Sequence, residues 1–187
     1  MTLAYTFRWE VVPESAGALA DGLVLTLQLA AISFALSLLL GLVVALCRLS
    51  PFRLLRWLAY VYTSVFRALS LYVDGLFSYF GIAAVFGISL GTFAAGVVAL
   101  TLLNSAYMAE VYRAAIQSVD PGQREAASAL GLGHTRTFAS VTFPQAGRVA
   151  VPGLVNQLVD IVKDSSIVAV IGLLDLMGTT IQLVSTQ

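Results

Sequence analysis

The chain has 187 residues, of which 59% are hydrophobic and only 11% are charged, and its mean hydropathy is +0.91. Soluble domains carry about 25% charged residues, so this composition excludes a soluble globular protein and predicts an integral membrane protein. The formal net charge is zero, which provides no electrostatic footprint for nucleic-acid binding. The single cysteine, Cys47, lies in an apolar run and has no second cysteine for a disulfide.

Apolar segments follow one another along the chain. The first contains no charged residue and is long enough to cross a bilayer, which takes about 20 apolar residues. We expect four membrane spans, at residues 23–47, roughly 58–81, roughly 85–109 and roughly 149–174. The residues after the fourth apolar segment are weakly apolar and too short to form a span by themselves.

The arginines are concentrated in two of the connecting segments. The segment after the first span contains Arg48, Arg53 and Arg56, and the segment after the third contains Arg113, Arg124, Arg136 and Arg148. Cytoplasmic loops of membrane proteins are enriched in Lys and Arg, and both segments lie on the same side if successive spans alternate in direction. We therefore expect both basic segments to be cytoplasmic and the N-terminus to lie outside.

The polar segment after the third span has the signals of a short helix. Asp120 followed by Pro121 predicts a helix start, because Asp is a favoured N-cap and Pro is favoured at the first helical position. Gln123, three residues after the aspartate, completes the pattern of a capping box. Gly131 and Gly133 are typical of a helix end.

A second short helix is expected to follow the glycines. Thr135 can cap it, and Pro144 marks the start of the next membrane segment. Residues from about 110 to 148 should therefore form a helix, a glycine turn and a second helix on the cytoplasmic side. Two interpretations remain open at this point: a docking surface with rim charges that orient a partner protein, or an amphipathic loop lying on the membrane surface.

The spacing in this loop resembles the EAA signature of ABC-transporter permeases, in which E-A-A is followed by three residues, G, nine residues and I-x-L-P. The matching residues are Glu125, Ala126, Ala127, Gly131 and Pro144, with Val and Phe in place of Ile and Leu. The resemblance implies that this loop couples the chain to a cytoplasmic ABC ATPase. It also implies that ATP is used by that partner and that this chain binds no cofactor itself.

Three longer segments resemble the polar amino acid permeases, the histidine, glutamine, arginine and opine uptake group: residues 22–67, 109–132 and 158–177. The resemblance implies an all-α, polytopic membrane protein of the ABC importer permease type, with residues 1–187 as a single transmembrane domain. It further implies a multi-pass chain in the bacterial inner (cytoplasmic) membrane, surrounded by membrane lipid. The implied protein partners are a second permease chain, alike or different, and a periplasmic or extracellular solute-binding protein. About four spans are present, and the fifth span that is usual in this family is expected to be missing.

Charged residues interrupt the fourth apolar segment. Asp160 and Lys163 are three residues apart, so they share a helical face and can pair, and Asp164 lies beside them. An ionisable group at mid-bilayer costs about 2.5–3.5 kcal/mol, so we expect this cluster to face the protein interior or a water-filled path. One interpretation is a substrate path or gate, with unwound backbone at Asp164, Ser165 and Ser166. The other is a structural ion pair that holds two helices together.

Two further acidic residues are candidates for the path. Asp74 stands where the similar permeases usually have bulky or amide residues; it can attract a cationic amino acid, pair with Arg67, or lie near the outer surface. The sequence favours none of these three interpretations. Glu110 and Arg113 are three residues apart at the cytoplasmic end of the third span, a spacing typical of a local salt bridge, with a gating role as the alternative.

The sequence lacks the residues that several kinds of catalytic site require. No G-x-x-x-x-G-K-[ST] phosphate-binding motif occurs, and the single histidine, His134, has no second His or Cys with which to form a metal site or a nucleophile–base pair. We therefore expect a transport subunit rather than an enzyme. The rival hypotheses are an ion-coupled secondary transporter or channel that uses the charged cluster as a relay, and a truncated, non-transporting membrane scaffold.

Overall fold

The computed structural model of the protein describes residues 15–68, 73, 76 and 91–185, and these are helical apart from short connections. The helices are α1 (Ala16–Leu49), α2 (Arg53–Ala68), α3 (Thr92–Gln117), α4 (Pro121–Ala129), α5 (His134–Thr137), a π-helical segment (Phe138–Thr142), α6 (Phe143–Asp164), a 3₁₀ segment (Ser165–Ile171) and α7 (Leu176–Ser185). The expected all-α fold class is confirmed.

Helices α1 and α3 pack closely through small residues. A Cβ added to Gly41 of α1 would lie 2.8 Å from Met108 Cβ on α3, and one added to Gly96 of α3 would lie 3.4 Å from Leu29 Cδ1 of α1 and 2.6 Å from Val168 Cγ1 of the 3₁₀ segment. Lipid provides no hydrophobic force between helices, so close packing and interhelical hydrogen bonds must hold them together. One such bond runs from Gln157 Nε2 on α6 to Asn104 Oδ1 on α3, at 3.1 Å.

Two of the described helices, α1 and α3, are long and apolar enough to cross a membrane. A third candidate is the bent pair formed by residues His134–Ile171 and Leu176–Ser185. The described residues therefore carry two to three of the four predicted spans. The second predicted span begins within α2, and most of it beyond Ala68 lies outside the described residues, as does Asp74.

The third span extends further than its sequence pattern indicated. We expected the polar stretch to begin near residue 110, but α3 continues to Gln117, so the first eight residues of that stretch are helical. Residues 110–120 contain no glycine or proline, and the helix ends where Ser118 N–H donates to the Ala114 carbonyl. The sequence becomes more polar here but remains helical, because Glu and Arg are good helix formers.

The region from His134 to Ile171 forms one continuous helical rod. Gly133, rather than the predicted Thr135, is the N-cap at its start. The π-helical segment joins α5 directly to α6, so Pro144 lies in the first turn of α6 and does not separate the second short helix from the membrane segment. The expected unwinding at Asp164–Ser166 is also wrong: the α-helix tightens there into the 3₁₀ segment.

A sharp bend separates the rod from α7. Gly172 has φ +88°, a left-handed conformation that glycine adopts at low cost, and the two helical axes differ in direction by 46°. Asp175, with 1% of its surface exposed, accepts a hydrogen bond from Gly178 N–H at 2.8 Å through Oδ1. Its backbone carbonyl accepts from Thr179 N–H at 2.8 Å, so this buried aspartate begins α7.

Candidate coupling loop and membrane path

Helix α4 begins as the sequence predicts, with one difference in its cap. Asp120 Oδ1 accepts a hydrogen bond from Gly122 N–H at 2.7 Å, and Pro121 is the first helical residue. The predicted capping box is absent. Gln123 instead accepts a hydrogen bond through Oε1 from Gln145 Nε2, at 3.5 Å. Its side chain is thereby directed to the start of α6, and this long contact joins the two sides of the loop.

Gly131 ends α4 in a Schellman motif. Its φ is +79°, its N–H donates to the Ser128 carbonyl at 3.0 Å, and Leu132 N–H donates to the Ala127 carbonyl at 3.1 Å. These two hydrogen bonds are typical of a helix end that is followed by a residue in the left-handed conformation. A Cβ at residue 131 would meet no atom within 4 Å, so the requirement for glycine comes from the backbone angle and not from space.

The three residues of the E-A-A motif do not share one surface. Glu125 and Ala126 are exposed, whereas Ala127 is buried with 4% of its surface accessible. Helix α4 lies against the π-helical segment, and a larger side chain at the buried alanine would have to displace its surroundings. Leu130 follows with 82% of its surface exposed, so the free face of α4 combines a carboxylate, a small residue and a large apolar residue.

The base of the loop is packed between two long helices. A cluster of buried residues joins the C-terminal end of α3 to the beginning of α6, and its members are Ala115, Ile116, Val119, Ala146 and Ala150. Phe138 of the π-helical segment and Leu154 of α6 pack against it. This packing fixes the beginning of α6 against the end of α3, at the two points where the loop joins the long helices.

Glu110 lies at the centre of an ion-pair cluster that joins three helices. The predicted local pair is confirmed: Arg113 Nε lies 2.7 Å from Glu110 Oε2. Arg48 at the end of α1 donates to Glu110 Oε1 at 2.7 Å, and Arg67 of α2 approaches to 4.0 Å. Arg48 also donates to the Thr63 hydroxyl. Sequence spacing could not reveal the contact with Arg48, because the two residues are 62 positions apart.

The charged cluster on α6 lies on an exposed surface of this chain. Asp160 Oδ1 and Lys163 Nζ are 3.6 Å apart, and their side chains are 52% and 70% exposed. The predicted pairing is confirmed. We expected the cluster to face the protein interior or a water-filled path, and in this chain taken alone the pair does not face the interior. The pair does not hold two helices together, because both residues belong to α6.

The residues beside this pair are divided between the surface and the interior. Asp164 is half-buried, Ser165 is buried and Ser166 is exposed. Both hydroxyls bond to their own helix: Ser165 donates to the Val162 carbonyl at 2.8 Å and Ser166 to the Lys163 carbonyl at 2.6 Å. Within the described part of the chain, no group of three or more His, Cys, Asp or Glu side chains is placed to hold a metal ion.

Comparison with known proteins identifies the family. The family described as "Binding-protein-dependent transport system inner membrane component" matches residues 37–187. The arginine transport system permease protein ArtQ of Bacillus subtilis is 41% identical over 162 residues, which cover 87% of this chain and 74% of ArtQ. The putative glutamine transport system permease protein GlnP of Rickettsia prowazekii is 38% identical, with 89% and 76% covered.

Solved structures agree with these relatives. A crystal structure of an amino acid ABC transporter with histidines superposes with a TM-score of 0.89 and 37% identity, covering 97% of this chain and 86% of that chain. The MetNI methionine ABC transporter shares the fold, with a TM-score of 0.65 at 18% identity. The chain therefore belongs to the family of binding-protein-dependent transport system inner membrane components, as a permease subunit of an amino-acid ABC importer and not an enzyme.

Proposed function

We propose that α4 is the coupling helix through which a cytoplasmic ABC ATPase drives this permease. The observation that carries the proposal is the combination of a free face at Glu125, Ala126 and Leu130 with a base packed rigidly between α3 and α6. An exposed carboxylate next to small and apolar side chains fits a cleft that excludes water around a few orienting charges.

The connections of α4 to its neighbouring helices support a mechanism in which movement of α4 moves the membrane helices. One end of α4 follows α3 after only residues 118–120, and the other end passes through Gly131 into the rod from His134 to Ile171. Movement of α4 by a bound ATPase would tilt that rod and carry α7 with it. ATP hydrolysis takes place in the partner, and this chain converts the movement into opening and closing of the path.

The path itself, in this proposal, lies along the exposed face of α6 that contains Asp160, Lys163, Asp164 and Ser166. Charges that face lipid are unfavourable by about 2.5–3.5 kcal/mol each at mid-bilayer, so a face with this composition needs water or protein against it. A second permease chain, alike or different, would enclose a water-filled path there. The hydroxyl of Ser165 bonds to the Val162 carbonyl of the same rod. Asp74 is also a proposed path residue, and it lies outside the described residues.

Glu110 is the proposed gate element at the cytoplasmic end of this path. It ties α3 to α1 through Arg48 and approaches Arg67 of α2, so its ion pairs can be broken and re-formed when the helices shift. The proposed orientation places the N-terminus outside the inner membrane and both basic segments in the cytoplasm. A solute-binding protein would deliver the substrate from the outer side.

The proposed substrates are polar amino acids or related compounds. Support comes from the names of the relatives, which include arginine and glutamine transport permeases, and from the charged and hydroxyl-bearing face of α6. An apolar substrate would gain nothing from a carboxylate–ammonium pair in its path. The charges of a zwitterion, by contrast, can be matched by such groups while it is out of bulk water.

Co-purification with a candidate ATPase tests the coupling proposal. We expect Glu125→Lys and Gly131→Leu to reduce both the retained ATPase and substrate-stimulated ATP hydrolysis. The matched control is Asp21→Lys, the same charge reversal at an exposed residue of α1, which should retain the partner. If the wild-type chain retains no ATPase, or if both loop substitutions leave uptake unchanged, the coupling role is wrong.

Uptake into proteoliposomes separates the importer from an ion-coupled transporter. The complex is loaded with ATP on the ATPase side, and the partner is either active or blocked in hydrolysis. We expect accumulation only with the active partner. Accumulation that continues when hydrolysis is blocked, and that follows an imposed ion gradient, would assign the charges of α6 to an ion relay instead.

A further inference from the structure

A second charged region of the chain adjoins the proposed gate and contains two arginines, Arg53 and Arg56, that the proposed transport mechanism does not use. An open cavity of about 730 Å³ lies where the end of α1, the first turns of α2 and the end of α3 meet. Its polar walls are formed by four arginines and a glutamine, and its apolar walls by Leu54, Trp57 and Tyr60. The arginines and the glutamine are Arg48, Arg53, Arg56, Arg113 and Gln117.

The cavity has a strong excess of positive charge. None of its described lining residues is acidic, and the carboxylate nearest to its arginines, Glu110, is shared by Arg48 and Arg113. Four guanidinium groups and one carboxylate leave a net formal charge of +3. Arg53 and Arg56 form no ion pair with any residue that the structure describes, so their donors are available to a ligand.

The position of the cavity determines the kind of anion that it fits. It adjoins the end of α1, a helix long and apolar enough to span the membrane, so it lies at the level of the lipid headgroups. Trp57 is 60% exposed and Leu54 is 68% exposed, and tryptophan is typical of this interfacial layer. The first turn of α2 adds the positive end of a helix dipole.

We infer that this cavity binds the headgroup of an anionic phospholipid, with Arg53 and Arg56 on the phosphate and Trp57 beside the acyl chains. Arginine pairs with phosphate through a planar, two-pronged arrangement of donors. Basic pockets between membrane helices on the cytoplasmic side are suited to anionic headgroups. The inference rests on the proposed orientation, in which both basic segments are cytoplasmic, and it does not depend on the direction of transport or on the coupling loop.

Trp57 provides a direct probe of occupancy. The chain has two tryptophans, so Trp9→Phe leaves Trp57 as the only indole. The full-length Trp9→Phe chain in detergent is titrated with brominated phosphatidylglycerol or with brominated phosphatidylcholine, and quenching of Trp57 fluorescence gives an association constant for each lipid. We expect a clear preference for phosphatidylglycerol, lowered by salt because charges are screened.

Removing the two free arginines should abolish that preference. Each basic residue near an anionic lipid surface contributes about fivefold in affinity, so Arg53→Gln/Arg56→Gln should weaken phosphatidylglycerol binding about 25-fold and leave phosphatidylcholine binding unchanged. Arg53→Lys/Arg56→Lys keeps the charge without the planar pair of donors, so it should retain a preference for phosphatidylglycerol that lies between the wild-type and the Gln values. The charge-matched control, Arg136→Gln/Arg148→Gln, removes two exposed arginines outside the cavity and should keep the preference.

Three results would overturn the inference. Equal quenching by the two lipids, or a preference that survives Arg53→Gln/Arg56→Gln, would show that the cavity does not recognise an anionic headgroup. If the double variant loses a co-purified ATPase while its lipid preference is unchanged, the cavity is a protein contact. Circular dichroism checks that the variant remains helical, and Lys at both positions separates loss of charge from loss of fold.

Discussion

The ion pairs of Glu110 should differ strongly in strength, although two of them have the same length. Arg48 and Arg113 each place a nitrogen 2.7 Å from one of its carboxylate oxygens. Arg48, however, reaches across from α1, and its side chain is 14% exposed, whereas Arg113 sits three residues along α3 and is 31% exposed. A partly buried, charge-assisted hydrogen bond contributes about 1.5–3 kcal/mol. A pair within one helix contributes about 0.2–0.5 kcal/mol.

Double-mutant cycles measure this difference. One cycle combines Glu110→Ala with Arg48→Ala, and the other combines Glu110→Ala with Arg113→Ala, with the free energy of unfolding followed by circular dichroism during SDS titration in mixed micelles. We expect a coupling energy of about 2 kcal/mol in the first cycle and about 0.5 kcal/mol or less in the second. Arg113 retains a bond to Gln117 Oε1 at 2.6 Å when Glu110 is removed, which further limits its loss.

The exposed pair on α6 serves as the control. Asp160 and Lys163 are also three residues apart, at 3.6 Å, with both side chains more than half exposed, so their cycle should give less than about 0.5 kcal/mol. If the cycle with Arg113 equals or exceeds the cycle with Arg48, the contact between α1 and α3 is not the stronger one. That result would falsify the assignment of Glu110 as the residue that ties these helices together.

Substitutions at four other positions test the packing and the loop. Gly41→Ala should destabilise the chain by about 1–3 kcal/mol because its Cβ would meet Met108. Gly147→Ala should stabilise the chain by about 0.5–1 kcal/mol, because the added Cβ would have no atom within 4 Å. Melting temperatures of the two variants that shift in the same direction would contradict this reasoning. Asp120→Ala should lower the melting temperature through loss of about 1 kcal/mol of cap energy, while Asp120→Asn should not. Gly131→Ala should reduce ATPase coupling through about 1–2 kcal/mol of backbone strain, and Gly131→Asn, which tolerates a left-handed angle, should reduce it less; equal effects would show that φ is not the cause.

The expected effects of substitution at Gly131 and at Gly41 have different structural origins. Gly131 is required by its backbone angle, since space around it is free, whereas Gly41 has an ordinary helical backbone and is required by the closeness of α3. A sequence pattern marks the first, because it follows a helix and precedes a turn. For the second, a glycine within an apolar span indicates close helix packing, but the neighbour that it meets, Met108, is identified only when α3 is in place.

Local signals in the amino-acid sequence were sufficient for the membrane class, the helix start at Asp120–Pro121, the turn at Gly131 and the pairing of Asp160 with Lys163. Each of these depends on composition or on residues within four positions of one another, where helical geometry leaves few alternatives. The resemblance to ABC-transporter permeases rested on the longer spacing from Glu125 to Pro144 and on three longer segments, and the comparisons confirmed that family.

Only the tertiary structure decided which side chains meet across the chain and which face outward. It brought Arg48 to Glu110 over 62 positions, turned Ala127 inward while Glu125 stayed exposed, and left the charges of α6 on an open face. These outcomes depend on how helices that are each stable in lipid settle against one another. Small differences in packing and interhelical hydrogen bonding decide that arrangement, and neither is visible in the periodicity of a single helix.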